Sequence, residues 1–276
     1  MEEGGEIMKF NIKKKDDLQD SGNSIPFLCE DMCQESNKEE SPYYVSAKES
    51  HELKNTEVDL RSICPPVRNQ RTLGSCASHG VITCYESELI KAGKYVEMSE
   101  LYHYYNARKA DGNEMENVGM SMLRACQTLK SKGLSFEKYW PYKLSKAFLI
   151  PNKINYWLNK LLNKIPSYNV NSYFRADNIS DALMWLDNGY ILAAGIKMFP
   201  NFNAAFGRHR ITAKDIEGVN FRKYGGHCIN IVGFHIGDQK LLIRNSWGKP
   251  WGNRGYIWID FDVWEQICFE MRIIKI

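Results

Sequence analysis

Three short stretches of this chain carry residue types that can do nucleophilic chemistry. The first is Asn69-Gln70-Arg71-Thr72-Leu73-Gly74-Ser75-Cys76. A helix is predicted to open at Ser75 or Cys76, which would set the thiol among the unpaired N–H groups and the positive end of that helix; both favour a thiolate. The Gly-Ser lead-in leaves room for a substrate to approach. Gln70 lies six residues upstream and offers a side-chain amide that, with the Cys76 N–H, can donate to a developing oxyanion. Taken alone, Cys76 reads equally well as a core residue, since free cysteine is among the most buried residue types.

The second stretch is Tyr224-Gly225-Gly226-His227-Cys228, leading into an apolar strand. The chain has six histidines, at 51, 79, 103, 209, 227 and 235, and only His227 has glycines opening space before it and a predicted strand holding it. A lone histidine there is more often structural. The third stretch runs from Asn245-Ser246-Trp247-Gly248 to Gly255-Tyr256. It reads as a glycine-rich turn with aromatic packing, or as the source of an asparagine that orients His227 toward a thiol.

The elements that must position these groups follow from periodicity. Val81, Ile82, Tyr85 and Leu89 make one apolar stripe on the helix that begins at Cys76, and Gly93 can end it. Further helices are predicted over Ser121–Lys132, Asn152–Lys164 and Asp181–Asn188, the last opened by Ser180 and closed by Gly189. Tyr190–Lys197, Cys228–Phe234, Lys240–Arg244 and Tyr256–Ile259 read as strands. Helices first and strands second suggest two lobes, with chemistry drawn from both.

Composition narrows the function. At 276 residues, with 43% hydrophobic and 25% charged residues, the chain can build a large core and is not disordered throughout. A net charge of +3 argues against nucleic-acid binding as the main role. No apolar run approaches the roughly 18 residues needed to span a bilayer, so no membrane partner is expected. The first twenty residues lack an apolar signal region, and the eight cysteines are scattered, so reduced thiols in an intracellular or particle-packaged protein are expected. Cys76-x-x-His79 with Cys29-x-x-x-Cys33 could make a zinc site, a weaker reading because two ligands would lie in an unanchored segment. Asp111-Gly112-Asn113-Glu114 reads as a plain turn and Asn178-Ile179-Ser180 as a helix start.

Together the three stretches resemble the papain/cathepsin family of cysteine peptidases. Val58-Asp59-Leu60-Arg61 is similar to the family's mature N-terminus, and Gln70 precedes Cys76 by the family's spacing. Cys76 and His227 are 151 positions apart, and His227 and Asn245 are 18 apart, as expected of the catalytic Cys, His and Asn. Trp140-Pro141-Tyr142 and the Asn245–Tyr256 turn extend the likeness from about Val58 to the C-terminus. Two departures stand out: Leu73 replaces the half-cystine three residues before the nucleophile, and Ala77 replaces the usual aromatic after it. Ala77 and His79 alter packing beneath Cys76 without removing a catalytic group. The missing bridge resembles microbial and viral branches of the family.

The resemblance implies an α+β, papain-like two-lobe fold: a helical lobe over about 62–166 and a β-barrel-like lobe over about 167–276, with the cleft between them. Residues 57–276 would form the peptidase domain, preceded by a propeptide-like or accessory segment, 1–56. It implies peptide hydrolysis through a Cys76 thiolate, a His227 imidazolium and an acyl-enzyme, with Asn245 orienting His227. Gln70 and the Cys76 N–H would hold the oxyanion, and Trp247 would shield the His–Asn hydrogen bond; no cofactor or metal is implied. Gly225, Gly226 and Cys228 would lie near the pocket for the substrate side chain second from the cleaved bond. No insertion with paired histidines is present, so an endopeptidase acting on protein or peptide substrates is expected over an exopeptidase. The apolar island Ile25–Leu28 is expected to block the cleft until cleavage between about Ser46 and Val58. A catalytically silent binding protein of the same fold is the alternative.

Overall fold

The computed structural model describes residues 53–148 and 170–276. The expected helix over 152–164, the Ile25–Leu28 island, Cys29 and Cys33 lie outside the described residues.

The chain enters as a short strand, β1 (Glu57–Asp59), and then forms three helices: α1 (Cys76–Lys91), α2 (Glu100–Ala110) and α3 (Met122–Lys132). The rest is mainly strand: β2 (Ser172–Ala176), β3 (Leu192–Lys197), β4 (Arg210–Ile211), β5 (Gly226–His235), β6 (Lys240–Arg244), β7 (Tyr256–Asp260) and β8 (Cys268–Lys275). Helices α4 (Ile179–Asp187), α5 (Pro200–Asn203) and α6 (Phe261–Ile267) interrupt them. The strands form one sheet in the order β2-β8-β3-β5-β6-β7-β4, with β1 added to β5, and every pairing is antiparallel except β4 with β7.

Local chemistry explains most boundaries. Ser121 caps α3 by accepting from the Arg124 N–H at 3.1 Å, and Gly133 takes a positive φ just past its end. The cap of α4 is Asn178, which accepts from Asp181 N–H at 2.9 Å, so the helix starts two residues earlier than a Ser180 cap would allow. Asn and Ser cap about equally well, and here it is the Asn178 side chain that reaches a free amide.

Helix α1 departs from a one-stripe surface helix. Thirteen of its sixteen residues are buried, because β3, β5 and β8 pack on one side and α2 and α3 on the other. A helix so placed is apolar or internally satisfied all round. Helix α2 shows no clean stripe for a related reason: it buries polar side chains that find internal partners. His103 takes a hydrogen bond from Ser78 Oγ (2.9 Å) and donates to Ala125 O (3.0 Å), while Arg108 donates to Tyr104 O, Ala147 O and Glu116 O.

Two apolar clusters result. One gathers α1, α2 and α3 around Leu73, Ile82, Tyr85, Leu101, Tyr104, Leu123 and Leu129, and also takes in Val232, Leu242 and Ile274 from the sheet. The other lies within the β part, around Ile196, Phe199, Phe202, Ile231, Trp251, Trp264 and Ile273. Helix α1 thus runs along the seam, with Cys76 at its N-terminus and β5 beside it. The six described cysteines, at 64, 76, 84, 126, 228 and 268, form no disulfide.

Candidate active site

The site is assembled where two backbone segments distant in sequence run against each other. Gln70 N–H donates to Ser246 O (2.8 Å), Gly248 N–H donates to Arg68 O (3.0 Å), and Asn69 bridges Trp247. Asn69 also turns the chain: its Oδ1 accepts from Arg71 N–H at 2.8 Å while Arg71 adopts φ +54°. Asn117 then grips the next residues, donating to Thr72 O (2.8 Å) and accepting from Gly74 N–H (2.9 Å). A Cβ at Gly74 would stand 3.0 Å from the Val118 carbonyl, so glycine lets this backbone pass close. Across the seam, Gly252 (φ +57°) has Tyr256 O only 2.3 Å from where a Cβ would sit, which requires glycine in the turn after Asn245.

The loop delivers Cys76 fully buried at the start of α1. Its thiol is in reach of three backbone N–H groups, those of Cys76, Ala77 and Cys228. The last belongs to the residue after His227, so the fold brings the nucleophile candidate to the histidine candidate. Burial nevertheless outweighs these donors and pushes the Cys76 thiol up to about 11. Burial also pushes His227 down to about 4, against the support of its Asn245 hydrogen bond. Burial thus opposes charge on either group taken singly, while the N–H groups around Cys76 and the Asn245 bond to His227 favour it.

His227 and Asn245 meet, as the family resemblance implies. His227 Nε2–H donates to Asn245 Oδ1 at 2.8 Å, and its Nδ1 is buried without a hydrogen-bond partner. Trp247 covers this pair, its ring 4.7 Å from the imidazole centroid and tilted by 34°. Phe202, on α5, closes the other side, edge-on to His227 and Trp247 and 4.9 Å from Trp251. Sequence reasoning missed Phe202; the Phe199-Pro200-Asn201-Phe202 run, with proline at a helix start, was the available signal.

Gln70 is fully buried and held at both ends: Oε1 accepts from Ser246 Oγ (2.6 Å), and Nε2 donates to Leu73 O (2.9 Å), leaving one Nε2 hydrogen. Behind Cys76, Tyr142 OH donates to Gln70 O (2.9 Å), so Ser75 Oγ donates to Tyr142 (2.6 Å), and His79 meets the Tyr142 ring edge-on at 5.0 Å. Of the residues expected near a substrate pocket, Gly225 accepts from Met198 N–H and Gly226 pairs with Lys197. Cys228 is buried against α1, where its Sγ fills the space beside Gly80. Across from it on β3, the space that Gly195 leaves open is taken by the Phe269 ring. Phe269 is a second residue that sequence reasoning did not place.

The fold coincides with that of known proteins. The model of the papain family of cysteine proteases matches residues 54–273 of this chain, which belongs to that family. An uncharacterised peptidase C1-like protein of Acanthamoeba polyphaga mimivirus is 27% identical over 199 residues, covering 68% of this chain and 62% of the relative. Procathepsin L of Rattus norvegicus is 26% identical over 216 residues, covering 71% of this chain and 57% of its own. The chain thus spans about three fifths of the length of these relatives. Among solved structures, xylellain, a cysteine protease from Xylella fastidiosa, superimposes with a TM-score of 0.67 at 23% identity, covering 85% of this chain and 96% of its own. That likeness shows the papain-like α+β fold. Among the described residues, no helix is long and apolar enough to cross a membrane.

Proposed function

We propose that this protein is a cysteine endopeptidase, with Cys76 as nucleophile, His227 as general base and acid, Asn245 as orienter and Gln70 as oxyanion donor. The observation that carries the reading is the tautomer of His227. Because Asn245 Oδ1 can only accept, Nε2 holds the proton, and the lone pair at Nδ1 is left for a thiol. The Cys228 N–H beside Cys76 supports the same juxtaposition.

The chemistry is proton transfer from Cys76 Sγ to His227 Nδ1, followed by attack of the thiolate on the substrate carbonyl carbon. Burial opposes either charge appearing singly, but the transferred-proton pair is net neutral and its mutual attraction offsets part of the desolvation. The oxyanion is held by the Cys76 N–H and the remaining Gln70 Nε2 hydrogen. His227 returns its proton to the leaving amine as the C–N bond breaks, and the acyl-enzyme forms. A water then gives its proton to Nδ1 and attacks the thioester, releasing the acid and restoring the thiol. Trp247 and Phe202 keep bulk water from the His–Asn hydrogen bond. The substrate pocket is assigned to the neighbourhood of Gly225, Gly226 and Cys228.

The segment before the domain is assigned as an inhibitory propeptide within 1–56. The rat relative is itself named a procathepsin. Lys54 N–H and Asn55 Nδ2 donate to the Asp187 carboxylate, and Thr56 O accepts from Ile236 N–H, contacts that support a cut before Lys54 within the window from about Ser46 to Val58.

Labelling with an epoxide-type thiol-protease inhibitor tests the reading. Stoichiometric modification of Cys76, abolished in His227→Ala, is the expected result; an unlabelled Cys76 in the trimmed protein overturns it.

A further inference from the structure

Three side chains, each with a buried polar atom that lacks a partner, line one small pocket. The pocket lies between α1 and strands β5 and β6, and Arg68, His79 and Asn245 are among the residues that line it. Its volume is about 10 Å³, the space that the centre of one water molecule needs. Arg68 Nε, His79 Nε2 and Asn245 Nδ2 are each buried without a hydrogen-bond partner.

The rest of each side chain is anchored, so none can turn away. Arg68 spends Nη1 on Glu100 and Nη2 on Glu86 (2.8 Å), which leaves the Nε–H as a donor. His79 Nδ1 lies 3.1 Å from Ser75 O, which can only accept, so the proton is on Nδ1. Burial lowers the His79 pKa, keeping the ring neutral with a lone pair at Nε2. Asn245 Oδ1 is taken by His227 Nε2–H and by Ser246 N–H, both at 2.8 Å, so Nδ2 is the free donor. Two donors and one acceptor suit a single water, which accepts twice and donates once. An anion would meet the His79 lone pair, and a cation would meet two N–H groups.

We propose that this pocket is a bound-water site through which His79 and Arg68 hold the Asn245 amide, making His79 a positioning residue for His227. The proposal rests on the reading of Asn245 as the orienter of His227. The amide of an asparagine can flip, and a flipped Asn245 would set Nδ2 against the His227 Nε2–H. A water that accepts from Nδ2 and is itself fixed by His79 and Arg68 opposes that flip. The family resemblance flags position 79 only as a departure; the structure gives the departure a task.

A high-resolution crystal structure of the full chain tests the site directly. A water within about 3.2 Å of all three atoms is expected, and a pocket that is dry or filled by a protein atom overturns the proposal even if no variant folds. Positioning is tested in His79→Phe, which removes the acceptor. Exchange of the His227 Nε2 proton, followed by NMR, should quicken. Turnover of a fluorogenic peptide should fall about fivefold, the worth of one hydrogen bond, with KM unchanged. His79→Gln, whose carbonyl can accept, should restore most of both. A folded His79→Phe protein with wild-type exchange and turnover overturns the positioning role. Failure of the catalytic reading is separable, since an inert Cys76 would leave the water and the proton exchange as they are.

Discussion

Asn245 Oδ1 accepts two hydrogen bonds of 2.8 Å, one from His227 Nε2 and one from the backbone N–H of Ser246. The second bond comes from the next residue in the chain, so the turn itself holds the oxygen toward the imidazole. Removing the amide takes away the proposed orientation and leaves the proposed nucleophile and base in place. Asn245→Ala should therefore keep the fold and lose turnover by roughly 10²-fold, while Cys76→Ala abolishes it. Steady-state kinetics with a thermal melt of each variant checks this; equally dead and equally stable variants would remove Asn245 from the orienting role.

Gln70 is buried between Ser246 and Leu73, and its second Nε2 hydrogen is the proposed oxyanion donor. One such donor is commonly worth about 2.7–4 kcal/mol in the transition state, so Gln70→Ala should lower kcat by about 10²–10³ with little change in KM. Wild-type turnover in that variant would assign the oxyanion to another group.

His103 is held neutral in the interior, and burial pushes its pKa down to about 4 from an ordinary 6.5. Between those values the unfolded chain binds a proton here that the folded chain does not. Stability is thus whole above pH 6.5 and falls as the pH drops toward 4, by up to about 3 kcal/mol from this group. Glu86 and Glu137 act oppositely, since burial raises both to about 7 and so favours the protonated form in the folded chain. Urea midpoints of wild type and a folded His103→Gln protein should converge as the pH falls from 7 to 4.5. Parallel curves would mean that folded His103 takes up its proton over the same pH range as the unfolded side chain.

Gly80 sits on α1 where a Cβ would come 2.4 Å from Cys228 Sγ. Gly80→Ala should destabilise by about 1–3 kcal/mol through overpacking, despite the better helix propensity of alanine. In a Cys228→Ala background the same change should become neutral or stabilising. An additive double-mutant cycle, read from denaturant midpoints, would show that the two sites do not share this space.

Trimming of the leading segment separates a zymogen from an ordinary extension. Removing residues before Lys54 from the folded protein should raise peptidase activity sharply at constant pH. Equal activity before and after trimming would leave the segment without an inhibitory role.

The candidate site was more legible in the sequence than the elements around it. Cys76, His227 and Asn245 stand in local contexts that need little beyond the backbone: a helix start, a glycine-opened strand and a glycine-rich turn. Strands β5, β6 and β7 were visible because their apolar runs are bounded by turns. Helix α2 was hidden because His103, Tyr104 and Arg108 are buried together and their polar atoms are satisfied by Ser78, Ala125 and Ala147 from other segments. Strand β8 was hidden in the same way, as Glu270 and Arg272 pair in the interior, with Arg272 Nε donating to Glu270 Oε1 at 2.6 Å.

By itself the sequence marked which groups could react, and its resemblance to the papain family grouped Cys76, His227 and Asn245, because side-chain chemistry and motif spacing are properties of the sequence alone. The tertiary structure decided what those groups experience. Burial between α1 and β5 works against charge on Cys76 where the helix N-terminus works for it, and the Asn245 acceptor selected the His227 tautomer. Phe202 came to close the imidazole from a helix with no signal of chemistry, and His79 came to share a pocket with Arg68 and Asn245. Desolvation, hydrogen-bond complementarity and shared volume depend on atoms brought together from distant positions, and they exist only once the chain has folded.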